Sequence, residues 1–344
     1  MYSSKGTNVF SELNKCVDRS LLLRNDTGVF VSGFRMQRKK FFVLQKCDVE
    51  DCVLTGYSKS LERKVSVESI QARPLLNEKT VVGYLDSDLQ KDRGFLILND
   101  NLESPRLLDY LHECENVSGD LDGISSFRML TPKRRKVVDS PKFIISTLSQ
   151  RCKCFFDTNT HWTYTVGIYS IPKDALPAFF SVNTGLAIYN SRLFSFCKME
   201  FEKIHKKENN IHYAAIASFP YPTHIDFKYR QTIDALVECL ISDAKMNNSE
   251  VHLSEDRRVS YIQETIDMCV YELYFSEYMH ELKLDVLEEL ACAPFIVNEK
   301  NKSERISEFY TWFMKSGNIV RQRIMLLDSR SPQFLGKIHS YYFK

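Results

Sequence analysis

The sequence has none of the glycine-rich turns that nucleotide cofactors require. Its twelve glycines include no G-x-G triplet, so neither a dinucleotide fingerprint nor a phosphate-binding loop can be written. No two of its ten prolines are adjacent. That removes the D/N/S-P-P-aromatic tetrapeptide that holds a flipped base for amino-group methylation. The eight histidines form no H-x-x-x-H or H-E-x-x-H pair, and no G-x-S-x-G elbow is present, which leaves zinc-hydrolase and serine-hydrolase chemistry unsupported. The pairs Cys47/Cys52 and Cys152/Cys154 lack zinc-ligand spacing. Glu281 and Lys283 have the E-x-K spacing of some nuclease sites, but they sit in helical text among acidic neighbours and read as a solvated helix face. No catalytic and no metal-ligating residue is assigned.

Long hydrophobic runs are missing too. The longest, such as "DMCVYELYF", fall far short of the eighteen or so residues of a membrane helix, and the first fifteen residues hold no apolar signal core. The expected location is therefore cytoplasmic, with the ten cysteines as reduced thiols.

What is present is enough apolar material to bury a core: 44% hydrophobic residues in a chain of 344, a length that accommodates two domains. The net charge of +2 hides an asymmetry, since residues 1–226 carry a surplus of Lys and Arg and residues 227–344 a surplus of Asp and Glu. A polyanionic partner would meet the first part.

From Gly28 to about Phe156 short β-branched and aromatic runs ("GVFVSGF", "KKFFVL", "DCVLTGY", "TVVGYL", "GFLILND", "KFIIS", "CKCFFD") alternate with Gly, Asn, Asp and Pro, the pattern of an irregular β-rich region. Phe41 to Leu44 reads as the start of a buried strand. "HECENVSGDLDGISS" (112–126) and "TPKRRKVVDSPK" (131–142) read as surface loops. "HWTYTVGIYSIP" adds a pair of strands, and from "LPAFFSVNTGLAIYNSRLFSFCKMEF" the apolar spacing becomes three and four, the helical period. The two prolines of "SFPYP" stop regular structure, and the domain boundary is placed there. "FKYRQTIDALVECLISDAKM" and "EDRRVSYIQETIDMCVYELYF" then read as amphipathic helices, with no Pro or Gly between Pro222 and Pro294. "SERISEFYTWFMK" reads as another helix ending near Gly317, followed by a less regular tail.

The remaining signal is cation placement. Arg35, Arg38, Lys39 and Lys40 follow Ser32 and Gly33, where glycine lets a loop turn or approach a ligand closely. Lys133, Arg134, Arg135 and Lys136 make a second cluster. Two clusters on one β-rich region form a clamp for phosphates, with ordinary solubilising loops as the competing reading. Gln37 between Arg35 and Arg38 adds side chains able to fork onto adenine and guanine.

Several stretches, read in order, resemble one family. "GVFVSGFRMQRKKFFVL" is similar to the opening loop and strand of the TaqI-like C-terminal specificity domain of type IIG restriction-modification enzymes and adenine-specific DNA methyltransferases. "IQARPLLNEKTVVGY" resembles its R-P-L-L element and "PKFIISTLSQRCKCFFD" its lysine-led strand with an aromatic-Asp end. "LAIYNSRLFSFCKMEF" resembles its L-N-S-x-L-F helix, "IASFPYP" its closing segment and "IDMCVYELYF" the helix beyond. The likeness spans roughly residues 25–290.

In that family a methyltransferase domain precedes this region, and the chain carries none of its motifs. The resemblance therefore implies sequence-specific recognition of double-stranded DNA with catalysis in trans. A methyltransferase or restriction subunit would be the partner, and S-adenosylmethionine, with or without Mg, would be bound there, with no cofactor in this chain. The implied DNA-binding residues are Ser32, Gly33, Arg35, Gln37, Arg38, Lys39, Lys40, Lys133, Arg134, Arg135 and Lys136. The expected fold class is α+β: an irregular β-rich target-recognition domain over residues 1–226 and a helical domain over residues 227–344. Two alternatives stand beside it, a truncated or split adenine methyltransferase contributing to a composite active site, and a non-catalytic protein-binding scaffold.

Overall fold

Alternating and all-apolar runs become strands, and runs with three-four apolar spacing become helices. The computed structural model describes residues 31–32, 39–76, 81, 83–84, 94–97, 104–118, 132–163, 167–205, 211–246, 257–297 and 304–341. The strands are β1 (Val31–Ser32), β2 (Val43–Glu50), β3 (Val53–Ser58), β4 (Arg63–Glu68), β5 (Ala72–Leu76), β6 (Gly94–Ile97), β7 (Lys142–Ser146), β8 (Lys153–Asp157), β9 (Trp162–Thr163) and β10 (Ile168–Pro172). They form a six-stranded sheet in the order β4-β3-β2-β6-β5-β9 and a four-stranded sheet in the order β1-β10-β7-β8. The class is α+β.

In the first part of the chain the helices are α1 (Lys39–Phe42), α2 (Pro105–Ser118) and α3 (Pro132–Val138). The helical part contains α4 (Val182–Tyr189), α5 (Arg192–Ile204), α6 (Ile211–Ala217), α7 (Phe227–Met246) and α8 (Arg257–Glu281). It continues through α9 (Leu287–Ala291), α10 (Pro294–Val297), α11 (Arg305–Phe313), α12 (Ile319–Arg330) and α13 (Leu335–His339). The bounds of α7 match the amphipathic stretch read from the sequence residue for residue.

The strands share their faces between two cores. In the six-stranded sheet, Leu44, Leu54, Val65 and Val67 point to one face, which α2 covers with Leu107, Leu111 and Cys114. The Tyr110 hydroxyl donates to the carbonyl of Phe41 at 2.8 Å and lies 3.0 Å from Ser58 Oγ, tying α2 to α1 and β3. Gly56 in β3 is required by close approach, since a Cβ there would meet Cys47 Sγ at 2.5 Å beside the bulge in β2. In the four-stranded sheet, Phe143 and Ile145 face the helices, where the Phe143 ring packs edge-on to Tyr189 at 5.6 Å. Ile144, Phe155 and Ile168 face the other way with Leu76 and Val81.

Four features differ from the sequence reading. Phe41 and Phe42 belong to the one-turn α1, and the strand begins at Val43. Residues 112–118 continue α2 instead of forming a loop. Lys133–Lys136 lie in helix α3, not a loop, with Pro132 opening it. The segment after Gly317 is regular and forms α12 and α13. In addition, the packing does not part at residue 226: one hydrophobic cluster joins Phe143, Ile145 and Tyr169 to Ile233, Leu240, Ile266 and Leu335.

At the first rung of the β7–β8 pair, Lys142 lies opposite Asp157. Both side chains are fully buried and Lys142 Nζ reaches Asp157 Oδ2 at 2.5 Å. The carboxylate also accepts from the backbone N–H groups of Asn159 at 3.0 Å and His161 at 2.8 Å, and lies 2.7 Å from His161 Nδ1. Burial alone would push the Asp157 carboxyl up; the His161 hydrogen bond and the Lys142 charge outweigh it, leaving its pKa below the ordinary carboxylate value. The pair's contribution is thus complete above the unfolded value of about 4 and is lost as pH falls through the lower folded value. Lys142→Met, which strands a buried carboxylate, should cost about 3–5 kcal/mol at pH 7 in urea unfolding, and the difference should shrink below pH 4. Equal stability at pH 7 would show that the pair stabilises nothing.

Candidate nucleic-acid interface

Helix α3 carries the second cation cluster, and its two sides have different tasks. Lys133, Arg134 and Lys136 are exposed, Arg135 is half-buried, and Val137 and Val138 are buried. The buried end is fastened by three groups. Lys142 Nζ donates to the Val138 carbonyl at 2.6 Å, satisfying an acceptor at the helix C-terminus. Asp139, just past the helix, takes the Trp162 indole N–H at 2.7 Å, Arg73 Nε at 3.4 Å and Arg135 Nε at 3.3 Å. Arg135 therefore works as a structural ion pair, and the side chains of Lys133, Arg134 and Lys136 are exposed.

The first cluster is placed by the same core. Phe41 and Phe42 are 2% and 1% exposed and belong to one hydrophobic cluster with Val31, Val43, Val137, Val138 and Trp162. Lys39 and Lys40 form the first turn of α1, directly before those phenylalanines. Ser32 ends β1, which pairs with β10 and lies against α3. Gly33, Arg35, Gln37 and Arg38 lie outside the described residues. Of the eleven implied DNA-binding positions, the structure thus brings Ser32, Lys39, Lys40 and Lys133–Lys136 onto elements sharing one core.

A polar junction that composition and spacing did not reveal lies on the helical side. Asp267 of α8 is fully buried; its Oδ1 accepts from the backbone N–H of Arg192 at 2.8 Å, at the start of α5 behind the Ser191 cap. Its Oδ2 lies 3.4 Å from Arg192 Nε and 3.5 Å from Arg151 Nη2. An Arg192 guanidinium N–H donates to the carbonyl of His339, drawing in α13. Asn190 donates to the carbonyls of Cys154 and Leu186 at 2.8 and 2.9 Å and accepts the Cys154 N–H at 2.9 Å. Asn190, Ser191 and Asp267 are among the polar residues of the two helical motifs quoted for the family resemblance. Here they join strand β8 to helices α4, α5 and α8, a structural task. The Tyr271 hydroxyl beside them is held protonated, first by burial and second by the Asp267 charge.

None of the nine cysteines among the described residues is joined in a disulfide, and burial pushes Cys152 up to about 11, so it is not a nucleophile near neutral pH. Among the described residues no group of three or more His, Cys, Asp or Glu is placed to hold a metal ion, and no helix is long and apolar enough to cross a membrane. No protein-family model matches the chain, and a search of curated proteins finds no significant match.

The junction has a testable strength. Asp267→Asn keeps the volume and the Oδ1 acceptor but removes the buried charge facing two arginines, and should lower unfolding stability by about 1–3 kcal/mol. A change within 0.5 kcal/mol in chemical denaturation would make the junction incidental.

Proposed function

We propose that the chain recognises a short sequence in double-stranded DNA and serves as the specificity component of a restriction-modification or DNA-methylation system. Methyl transfer or cleavage belongs to a partner methyltransferase or nuclease subunit, which also binds S-adenosylmethionine and any Mg. The observation that carries this reading is the pairing of an exposed Lys133, Arg134 and Lys136 with a rigidly tied helix, on the core that also seats Phe41 and Phe42 behind Lys39 and Lys40. Lysine and arginine on a fixed element suit phosphates, which supply most of the affinity and set the register in which base contacts are made. The ordered family-like stretches supply the sequence preference and the expectation of a catalytic partner.

The test is retention from a random duplex pool, with and without a co-expressed methyltransferase subunit, together with a salt titration. Enrichment of one short site is expected. Replacing Lys133, Arg134 and Lys136 together by alanine should reduce the slope of log K against log salt by about 3, whereas Arg135→Ala should act chiefly on stability. No duplex binding at low salt, or equal binding to every duplex, would overturn the reading.

A further inference from the structure

The register of the six-stranded sheet shows what lies beside the basic helix. Arg73 lies opposite Leu96 and Leu96 opposite Val43. Two residues further along β2, Gln45 lies opposite Tyr57 and Tyr57 opposite Lys64. Side chains alternate with period two and cross-strand partners share a face. Arg73, Val43, Gln45, Tyr57 and Lys64 therefore all sit on the face away from α2. Over the β5–β9 side, that face is closed by α3: Asp139 holds Arg73 and Trp162, and Val43, Val137, Val138 and Trp162 share a cluster. Two residues beyond Val43 on β2, and on β3 and β4 beside it, that face is exposed at Gln45, Tyr57 and Lys64.

Helix and sheet thus make a step, with α3 as its wall and a row of amide, phenol and ammonium as its floor. The exposed row from β2 to β4 spans two interstrand spacings, about 10 Å. That admits one sugar-phosphate strand. Charge on the floor is polarised. The next row holds Asp48 beside the Thr55–Ser66 hydroxyl pair, and the row after it Glu50 and Val53, about 13 Å from Tyr57, while the Glu68 carboxylate of that row turns to the N-terminus of α2. A polyanion is thereby confined to the end of the sheet that adjoins α1.

We infer that Gln45, Tyr57 and Lys64 form a second DNA-contacting row, receiving one strand of a duplex whose other contacts are made by α3. This rests on the reading of the chain as a DNA-binding protein. Lys64 meets a phosphate, the Tyr57 ring packs on the sugar while its hydroxyl donates to a phosphate, and Gln45, nearest the wall, reaches towards a base edge.

The experiment uses the full chain and the duplex enriched from the random pool. If enrichment gives no duplex, both the inference and the function it rests on fall. With a duplex in hand, Lys64→Gln should lower the salt slope by about 1. Tyr57→Ala should weaken binding on the order of three- to tenfold, the worth of one hydrogen bond, and Tyr57→Phe less. Gln45→Ala should relax preference at one position of the site, and Glu50→Gln should weaken nothing. All four positions are exposed, so thermal unfolding should match the wild type and separate contact from folding. If these floor variants bind as wild type while the α3 triple variant loses affinity, the floor is overturned and the DNA-binding reading stands.

Discussion

One buried ammonium ties the basic surface to the rest of the molecule. Lys142 Nζ sits with no exposure between Asp157 and the last carbonyl of α3. A cation there would be costly to desolvate alone; the carboxylate beside it and the carbonyl above it make the site tolerable. The consequence is directional. Removing the charge would strand Asp157 and free the C-terminus of α3, so the orientation of Lys133, Arg134 and Lys136 depends on a residue whose own side chain no solvent or ligand reaches.

The four-stranded sheet extends this dependence across the chain. Its Phe143 face belongs to the helical core and its Lys142 face to the side where α3 lies. Strands shared in this way do not let the helical part and the cation-bearing part move as independent bodies. The Asp267 junction works in the same direction, since it binds β8, α4, α5, α8 and α13 through charged and amide groups. For a surface that reads DNA, such stiffness means that phosphate contacts made at one place fix where a side chain stands at another.

Local signals told most of the element types. The run "KFIIS", the stop at "SFPYP" and the helices from Phe227 and Arg257 follow from composition and period alone. The errors came where the deciding partner is far away in sequence. The N-terminus of α2 is capped by Glu68, whose carboxylate accepts from Arg106 and Leu107 at 3.0 and 3.1 Å, a contact no local pattern announces. For α3 a local sign did exist, Pro132 at the first helical position ahead of cations in the last turn, but seven residues rich in charge resemble a loop as much as a helix. The prolines of "SFPYP" interrupt regular structure between α6 and α7 without saying which elements pack together, so the core crosses them. Likewise the cation clusters were legible as residues, whereas the open floor beside them follows only from strand register.

Register also explains how one modest net charge can serve a polyanion. The six-stranded sheet carries two acids on its outer face, Asp48 and Glu50, and both lie towards the β2–β3 turn, while Lys64 stands at the end next to α1. At a Debye length of about 8 Å in physiological salt, Glu50, about 13 Å along the strand from the Gln45–Tyr57–Lys64 row, is largely screened from it, and Asp48, one row or about 7 Å away, marks where the sign changes. A uniformly basic face would hold any polyanion in any pose. A face that is basic only beside the α3 wall favours one line of approach and disfavours its shifted alternatives. On the proposed DNA-binding reading, positioning by repulsion would complement the few side chains that can touch a base.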